Sequence, residues 1–501
     1  MKINSRTTNS GHAEKSDTVI VPRKSANKPM NMGAESMEGR TVTKRNTHAN
    51  VGGRTQSRAN ATYRLMGVRE AARRDKRTKF TALFHHVTIQ LLRESFYQLK
   101  RFSAPGVDGQ SWKTYEQRLG ENLRELHESL HRGSYRPNPA RRITIPKADG
   151  SERPISVQSV RDKVAQMAVV KILEQIYEEQ FLGFSYGFRP GRSQHDALDA
   201  LTVGLKSKKV NWVLDLDIRK YFDSVGHDRL LKTIQHRVRD RRILRLVRQW
   251  LEVGYIDAQG RRIRSQVGAA QGAVVSPLLA NVYLHYALDQ WSVWWRKHNS
   301  RGDMVIVRYA DDVIAGFQHY EDAQRYRKEL VGRLRDFGLA INEHKSRLIR
   351  FGRYAEQQQK ERGLGKPPTF DFLGFTHYCG RSSNGGFAVR RRSVRKRVSR
   401  KLKEIRLELK KRRHAPVSQQ IKWLSSVIQG HCNYYGVPGN LRNLTRFRYE
   451  LFRAWYRALC RRSQKKRINW QKFGQFLGNR LPSVHTVHPY PEERFYAKYS
   501  R

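Results

Sequence analysis

The chain has 501 residues and a formal net charge of +54, from 98 Lys and Arg against 44 Asp and Glu. An excess of that size points to a polyanionic partner, nucleic acid first, and the length allows two or more domains with a sizeable core. No run of about 18 apolar residues offers a membrane span, no charged-then-apolar opening offers a secretory signal, and Cys379, Cys432 and Cys460 are too scattered for a disulfide framework or a C-x-x-C zinc pair. A reduced, cytoplasmic protein is expected.

Residues 1–75 read as a basic, flexible extension. They are rich in Ser, Thr, Asn, Gly and Arg, and residues 1–80 hold 18 Lys and Arg against 6 Asp and Glu. So little apolar surface cannot offset the entropy of ordering, so this arm is expected to order on contact with RNA. From Phe80 to about Phe351 helix and strand patterns alternate. Val164, Ala168, Ile172 and Ile176 recur every four residues behind Ser159 and Asp162, which predicts a capped helix. In VNWVLDLDI the period is two: Trp212, Leu214, Leu216 and Ile218 share one face, and Val213, Asp215 and Asp217 the other. Ser276 as N-cap and Pro277 at the first helical position predict a helix over SPLLANVYLHYALDQWSVWW.

Beyond about Arg390 the pattern becomes helical and basic. Residues 390–413 hold 14 Lys and Arg but 2 Glu, with Val394, Val398, Leu402, Ile405 and Leu409 on one stripe. Pairing at i,i+4 cannot absorb that excess, so a phosphate-facing helix is expected.

MVIVRYADDVIAGF, residues 304–317, reads as strand, tight turn, strand, with Asp311 and Asp312 at the turn. Asp tolerates turn geometry, so a solvated hairpin tip would account for this stretch taken alone. A second acidic strand end, with Asp215 and Asp217, changes the balance. Clustered carboxylates repel one another and need a cation. Mg²⁺ takes one or two carboxylates together with phosphate oxygens and water, and two such ions can drive in-line transfer at phosphorus. The alternation alone does not choose between Asp215 and Asp217.

Eight blocks in chain order now carry a resemblance: APGVDGQSW, ITIPKADGSERPISVQSVRDKVAQ, SYGFRPGRSQHDAL, LDLDIRKYFDSVGHDRL, GAAQGAVVSPLLANVYLHYALD, RYADDVIAGF, GLAINEHKSRLIRFG and FDFLGFTHY. Over about residues 80–495 the chain resembles the reverse transcriptases encoded by group II introns. The resemblance implies an α/β (α+β) right-hand polymerase: an extension over 1–75, fingers and palm over 76–380, an α-helical thumb or maturase region (domain X) over 381–465, and a basic nucleic-acid-contacting segment over 466–501. The palm would be an antiparallel sheet with helices on one side. The activity implied is RNA-directed DNA synthesis on an RNA template with a DNA primer and deoxynucleoside triphosphates. Binding of the parent intron RNA would assist splicing and retrohoming. Two readings compete with it: a splicing cofactor without polymerase activity, and a related enzyme repurposed for phage defence. Oligomeric state is left open.

The same resemblance implies roles. Asp217, which precedes IRKYFD, would bind Mg²⁺ (or Mn²⁺ in its place) with Asp311, supported by Asp312. Phe222 would exclude a ribose 2′-hydroxyl. Lys147 and Arg153 of the fingers hairpin, with Lys345, would neutralise the triphosphate. Gln271 and Gly272 would receive the nascent base pair, although Ala270 and Ala273 depart from the usual Pro and Gly of that motif. Arg391, Arg395, Arg397, Lys401, Arg412, Tyr434 and Tyr435 would contact RNA; a helical core is the competing place for the two tyrosines. The zinc-supported nuclease that often ends such proteins is not expected, since no Cys pair is present. A primer would then come from elsewhere, such as a nascent strand at a replication fork.

Overall fold

The computed structural model describes residues 65–146, 152–462 and 469–499. Lys147 and the extension as far as residue 64 lie outside them. No helix among the described residues is long and apolar enough to cross a membrane.

The centre of the molecule is a four-stranded antiparallel sheet in the order Met304–Tyr309, Asp312–Phe317, Trp212–Asp217, Arg347–Arg350. The predicted alternation fixes its two faces. Leu214, Leu216 and Ile218 enter the larger core, with the helices Val160–Tyr177, Ser276–Leu284 and Tyr320–Asp336. Val213 faces the other way and joins Val305, Val307 and Ile314 in a second core. Helix Gln194–Ser207 and the three-stranded sheet Phe370–Phe372, Phe375–Arg381 and Phe387–Ser393 cover that face. The expectation of helices on one side is therefore corrected: the sheet is covered on both. Continuous apolar runs such as Met304–Val307 need cover on both faces, and Val305 and Val307 obtain it from the second layer.

Helix Val160–Tyr177 starts as its sequence predicts. The Ser159 Oγ accepts from the Asp162 N–H at 3.2 Å. Asp162 is buried and accepts from Ser159 Oγ, the Tyr135 hydroxyl and the Asn138 N–H, at 2.7, 2.6 and 3.0 Å. Ser276 behaves otherwise. Val275 is the N-cap, and the Ser276 hydroxyl donates to the Ala270 carbonyl at 2.9 Å, tying the preceding loop to the helix. This helix runs on through a π-helical turn, His285–Asp289, into Gln290–His298.

The boundaries differ from expectation in three places. Residues 65–74 are already helical and bury Leu65, Val68 and Ala72 in the larger core, on a stripe too short to stand out among the surrounding arginines. A boundary at 380 would split a hairpin, because Phe387–Ser393 pairs with Phe375–Arg381; the helical region starts at Arg395. Its helices Arg395–Lys411, Val417–Tyr435 and Leu441–Cys460 share a third core around Leu424, Ile428 and Trp455. Finally, helix Pro491–Lys498 returns to Gln194–Ser207. Lys498 pairs with Asp196 at 2.6 Å, Lys206 with Glu492 at 2.7 Å, and Arg494 with Asp199. These three ion pairs tie that helix to the fold.

Candidate active site

The hairpin Met304–Phe317 turns at Ala310 and Asp311, with Tyr309 paired to Asp312. Ala310 has φ +56°, the positive value that primed hairpin turns require. Asp312 opens its strand directly opposite Asp217, which closes its own. Asp217, Asp312 and Asp311 therefore meet at one end of the sheet.

Three neighbours hold Asp217. Its backbone N–H donates to Ser346 Oγ at 3.1 Å, its carbonyl accepts from the Asn342 N–H at 2.8 Å, and its Oδ2 accepts from Asn342 Nδ2 at 3.0 Å. Lys345, largely exposed, brings its Nζ within 3.9 Å of the same oxygen. Asp215 has a different fate. It pairs in register with Arg347, whose guanidinium lies 3.5 Å from its carboxylate. Burial pushes Asp215 up to about 6, against the pull of Arg347. Asp217 is the more open of the two carboxylates, with side chains 32% and 20% exposed.

No group of three His, Cys, Asp or Glu suited to a metal ion is preassembled among the described residues. The donor set still fits a hard divalent ion, because Mg²⁺ uses only one or two carboxylates and completes its shell with water and substrate phosphate.

A second set of predicted residues meets beside the fingers hairpin, Ala140–Pro146 with Glu152–Val157. Arg153 Nε donates to Gln271 Oε1 at 3.1 Å, and the Ser156 N–H donates to the Gln271 carbonyl at 2.7 Å. Gly272 has φ +103°, and a Cβ there would sit 2.7 Å from the Ser156 carbonyl oxygen, so only glycine fits. Phe222 lies in the short helix Tyr221–Ser224, half-buried against the core, and its carbonyl accepts from the Ala269 N–H at 2.7 Å.

The RNA-contact residues divide. Arg395, Arg397 and Arg412 are exposed on the first thumb helix and Lys401 is half-buried there. Arg412 pairs with Glu408 at 2.7 Å and Lys401 with Glu404 at 3.5 Å. Arg391 is a correction, whereas Tyr434 and Tyr435 are half-buried and take the packing role that competes with RNA contact. Arg391 is buried and paired with Asp199 at 3.3 Å, because its strand faces the second core. Tyr434 stacks on Phe375, 5.8 Å between ring centroids, and donates its hydroxyl to the Leu373 carbonyl at 2.7 Å. Tyr435 packs on the same Phe375, and burial raises its pKa.

Sequence reasoning missed Arg308, which is fully buried behind the aspartate turn. Its five N–H groups reach Asp289 Oδ1 and Oδ2 (2.7 and 2.5 Å), Asn281 Oδ1 (3.0 Å), the Ala310 carbonyl (3.0 Å) and Ser185 Oγ (2.7 Å). Beside it, a Cβ on Gly187 would lie 2.3 Å from the Ala310 nitrogen, and Asn281 Nδ2 donates to the Gly187 carbonyl at 2.6 Å. The only local signal was one arginine inside an apolar strand.

Residues 145–377 match the family described as reverse transcriptase (RNA-dependent DNA polymerase). That match covers just under half of the chain. Reverse transcriptases make general use of divalent metal ions, in keeping with the carboxylates at the sheet end. Three curated relatives are similar to this chain, and two of them are named for introns. Protein YkfC of Escherichia coli is 35% identical over 42% of this chain and 62% of its own length. An uncharacterized 91 kDa protein in the cob intron of Schizosaccharomyces pombe is 40% identical over 33% of this chain and 20% of its own. The group II intron-encoded protein LtrA of Lactococcus lactis subsp. cremoris is 32% identical over 44% of this chain and 37% of its own. The chain thus spans less than two thirds of each of these relatives.

Proposed function

We propose that this reverse transcriptase domain belongs to an RNA-directed DNA polymerase of a mobile group II intron, which also binds its intron RNA to assist splicing and retrohoming. One observation carries the catalytic part: Asp217 and Asp312 are paired in register at an open sheet end, with Asp311 in the adjoining turn. Two Mg²⁺ ions, bound by Asp217 and Asp311, would activate the primer 3′-hydroxyl and stabilise the leaving pyrophosphate. The chain's own residues do the rest. Asp312 adds negative charge beside the ligands. Lys345, next to Asp217, and Arg153 on the fingers hairpin neutralise charge growing on the leaving group, a role that the sequence motif extends to Lys147. Gln271 and Gly272 offer a tight backbone surface to the nascent base pair, and the Phe222 ring rejects the 2′-hydroxyl of a ribonucleotide by bulk. The exposed cations of the first thumb helix hold RNA phosphates. A cytoplasmic ribonucleoprotein is the setting we propose.

Primer extension on an RNA template with deoxynucleotides and Mg²⁺ tests this reading, alongside an Asp311→Ala, Asp312→Ala double variant. Extension by the parent and none by the variant is the expected result. No extension by either, with tight RNA binding by both, would overturn the polymerase reading in favour of a splicing cofactor.

A further inference from the structure

Helix His227–Gln235 and its C-cap His236 carry Arg229, Lys232 and His236 on one face, three and four residues apart. These side chains form one wall of a cavity of ≈ 400 Å³. Tyr286 and the end of helix Tyr320–Asp336, with Arg333 and Asp336, form the other. All of these elements cover the larger core, whereas Val213, on the same sheet face as Asp217, enters the second core. No residue of the cavity lining belongs to the site described above.

Its lining has two halves. The first is flat and aromatic. His236 stacks on Tyr286, 5.0 Å between centroids at 28°, and the Tyr286 hydroxyl is drawn away to Gln180 at 3.4 Å. The second is cationic. Arg333 is occupied by the Tyr286 and Ala287 carbonyls at 3.0 and 3.3 Å and lies over the Phe337 ring. Arg229 rests against Tyr283. Lys232 is exposed and makes no ion pair among the described residues. Asp336 is the single acid of the lining, against Arg229, Lys232 and Arg333.

A cavity of this size suits a small ligand. The outer face of this stacked aromatic pair, beside cations that outnumber the one acid, matches a base and its phosphate. We propose that this cavity binds one nucleotide unit, with the phosphate on Lys232 and Arg229 and the base on the His236–Tyr286 shelf. The unit comes either from a mononucleotide or from a single strand passing over the back of the palm.

The test uses the full chain with its polymerase cleft filled by a chain-terminated primer, an RNA template and the next deoxynucleotide. Two fluorescent probes are titrated separately: a mant-labelled ATP and a ten-nucleotide oligo(A) RNA. Binding of either probe is expected, and binding of one alone identifies the source of the nucleotide. Lys232→Glu should weaken it by about tenfold, the loss of one charged hydrogen bond. His236→Ala should weaken it by removing the shelf. Lys232→Gln, with unchanged thermal unfolding, separates lost contact from lost fold. Primer extension should be unchanged in all three variants, which reports on the polymerase reading separately. No binding of either probe with the cleft filled, or equal binding by parent and Lys232→Glu, would overturn the proposal.

Discussion

Arg308 shows how one residue can position a site without touching its chemistry. A guanidinium removed from water is tolerated only when its charge and its donors are met, and Asp289, Asn281, Ser185 and the Ala310 carbonyl meet them. The last bond fixes the turn that carries Asp311. Arg308→Ala would leave Asp289 buried and uncompensated, and we expect a stability loss of about 3–5 kcal/mol in denaturant unfolding. Arg308→Lys should keep part of that stability yet lose most primer extension, because one ammonium cannot hold five acceptor atoms spread around a planar fork. An Arg308→Met, Asp289→Leu pair removes both charges. It should recover stability relative to Arg308→Ala without recovering extension. Stability and extension that return together in the pair would mean that Arg308 serves packing alone.

At the scale of elements, the fingers hairpin and the Gln271–Gly272 loop form one unit. They are joined by Arg153 to Gln271, and by Ser156 to the Gln271 backbone and to the space that Gly272 leaves open. Arg153→Ala and Gln271→Ala should therefore each raise KM for deoxynucleotides. The double variant should cost less than the sum, with a coupling of about 0.5–3 kcal/mol. Strict additivity would separate hairpin from loop. The thumb gives a prediction of another kind. His431 stacks on Phe447, 3.7 Å between centroids, and burial foremost, with Lys401 second, pushes its pKa down to about 4. The unfolded chain, with histidine near 6.5, then binds more protons than the folded one between pH 6.5 and 4. Stability is thus full above pH 6.5 and falls as pH drops through that window. Thermal unfolding at pH 7 and pH 5 should show a smaller drop for His431→Phe than for the parent.

These elements also mark what could be read from sequence. The helix behind Ser159, the two faces of Trp212–Asp217 and the aspartate turn were legible because each depends on neighbours a few residues away. Asp215 was not, since only its pairing with Arg347, on another strand, draws it into an ion pair. Arg391, Tyr434 and Tyr435 look like surface residues by composition. What draws Arg391 fully, and the two tyrosines partly, into the interior is a layer made from Phe375, Asp199 and the strand Phe387–Ser393, distant in sequence from at least one partner. Arg308 draws partners from residues 185, 281, 289 and 310, which no local pattern brings together.

For the whole molecule, the charge of +54 overstates what faces nucleic acid. Arg189, Arg237, Arg308 and Arg391 are buried, and Arg494 and Lys498 pin the last helix to the palm. Part of the outward excess that remains lies on the first thumb helix, where Glu404 and Glu408 engage some of the cations and Arg395, Lys396 and Lys403 stay exposed. If that face holds RNA by its phosphates, binding releases counterions and must weaken steeply with salt. With roughly 6–10 phosphate contacts, affinity should fall about 10³–10⁵-fold between 50 and 200 mM salt. Arg395→Glu with Lys396→Glu should flatten the log–log slope by about one to two contacts, while Asp311→Ala, Asp312→Ala should leave it unchanged. Filter binding across a salt series measures both. A slope untouched by the thumb substitutions would move the RNA-binding face elsewhere on the molecule, to the basic cavity behind the palm or to the arm before residue 65.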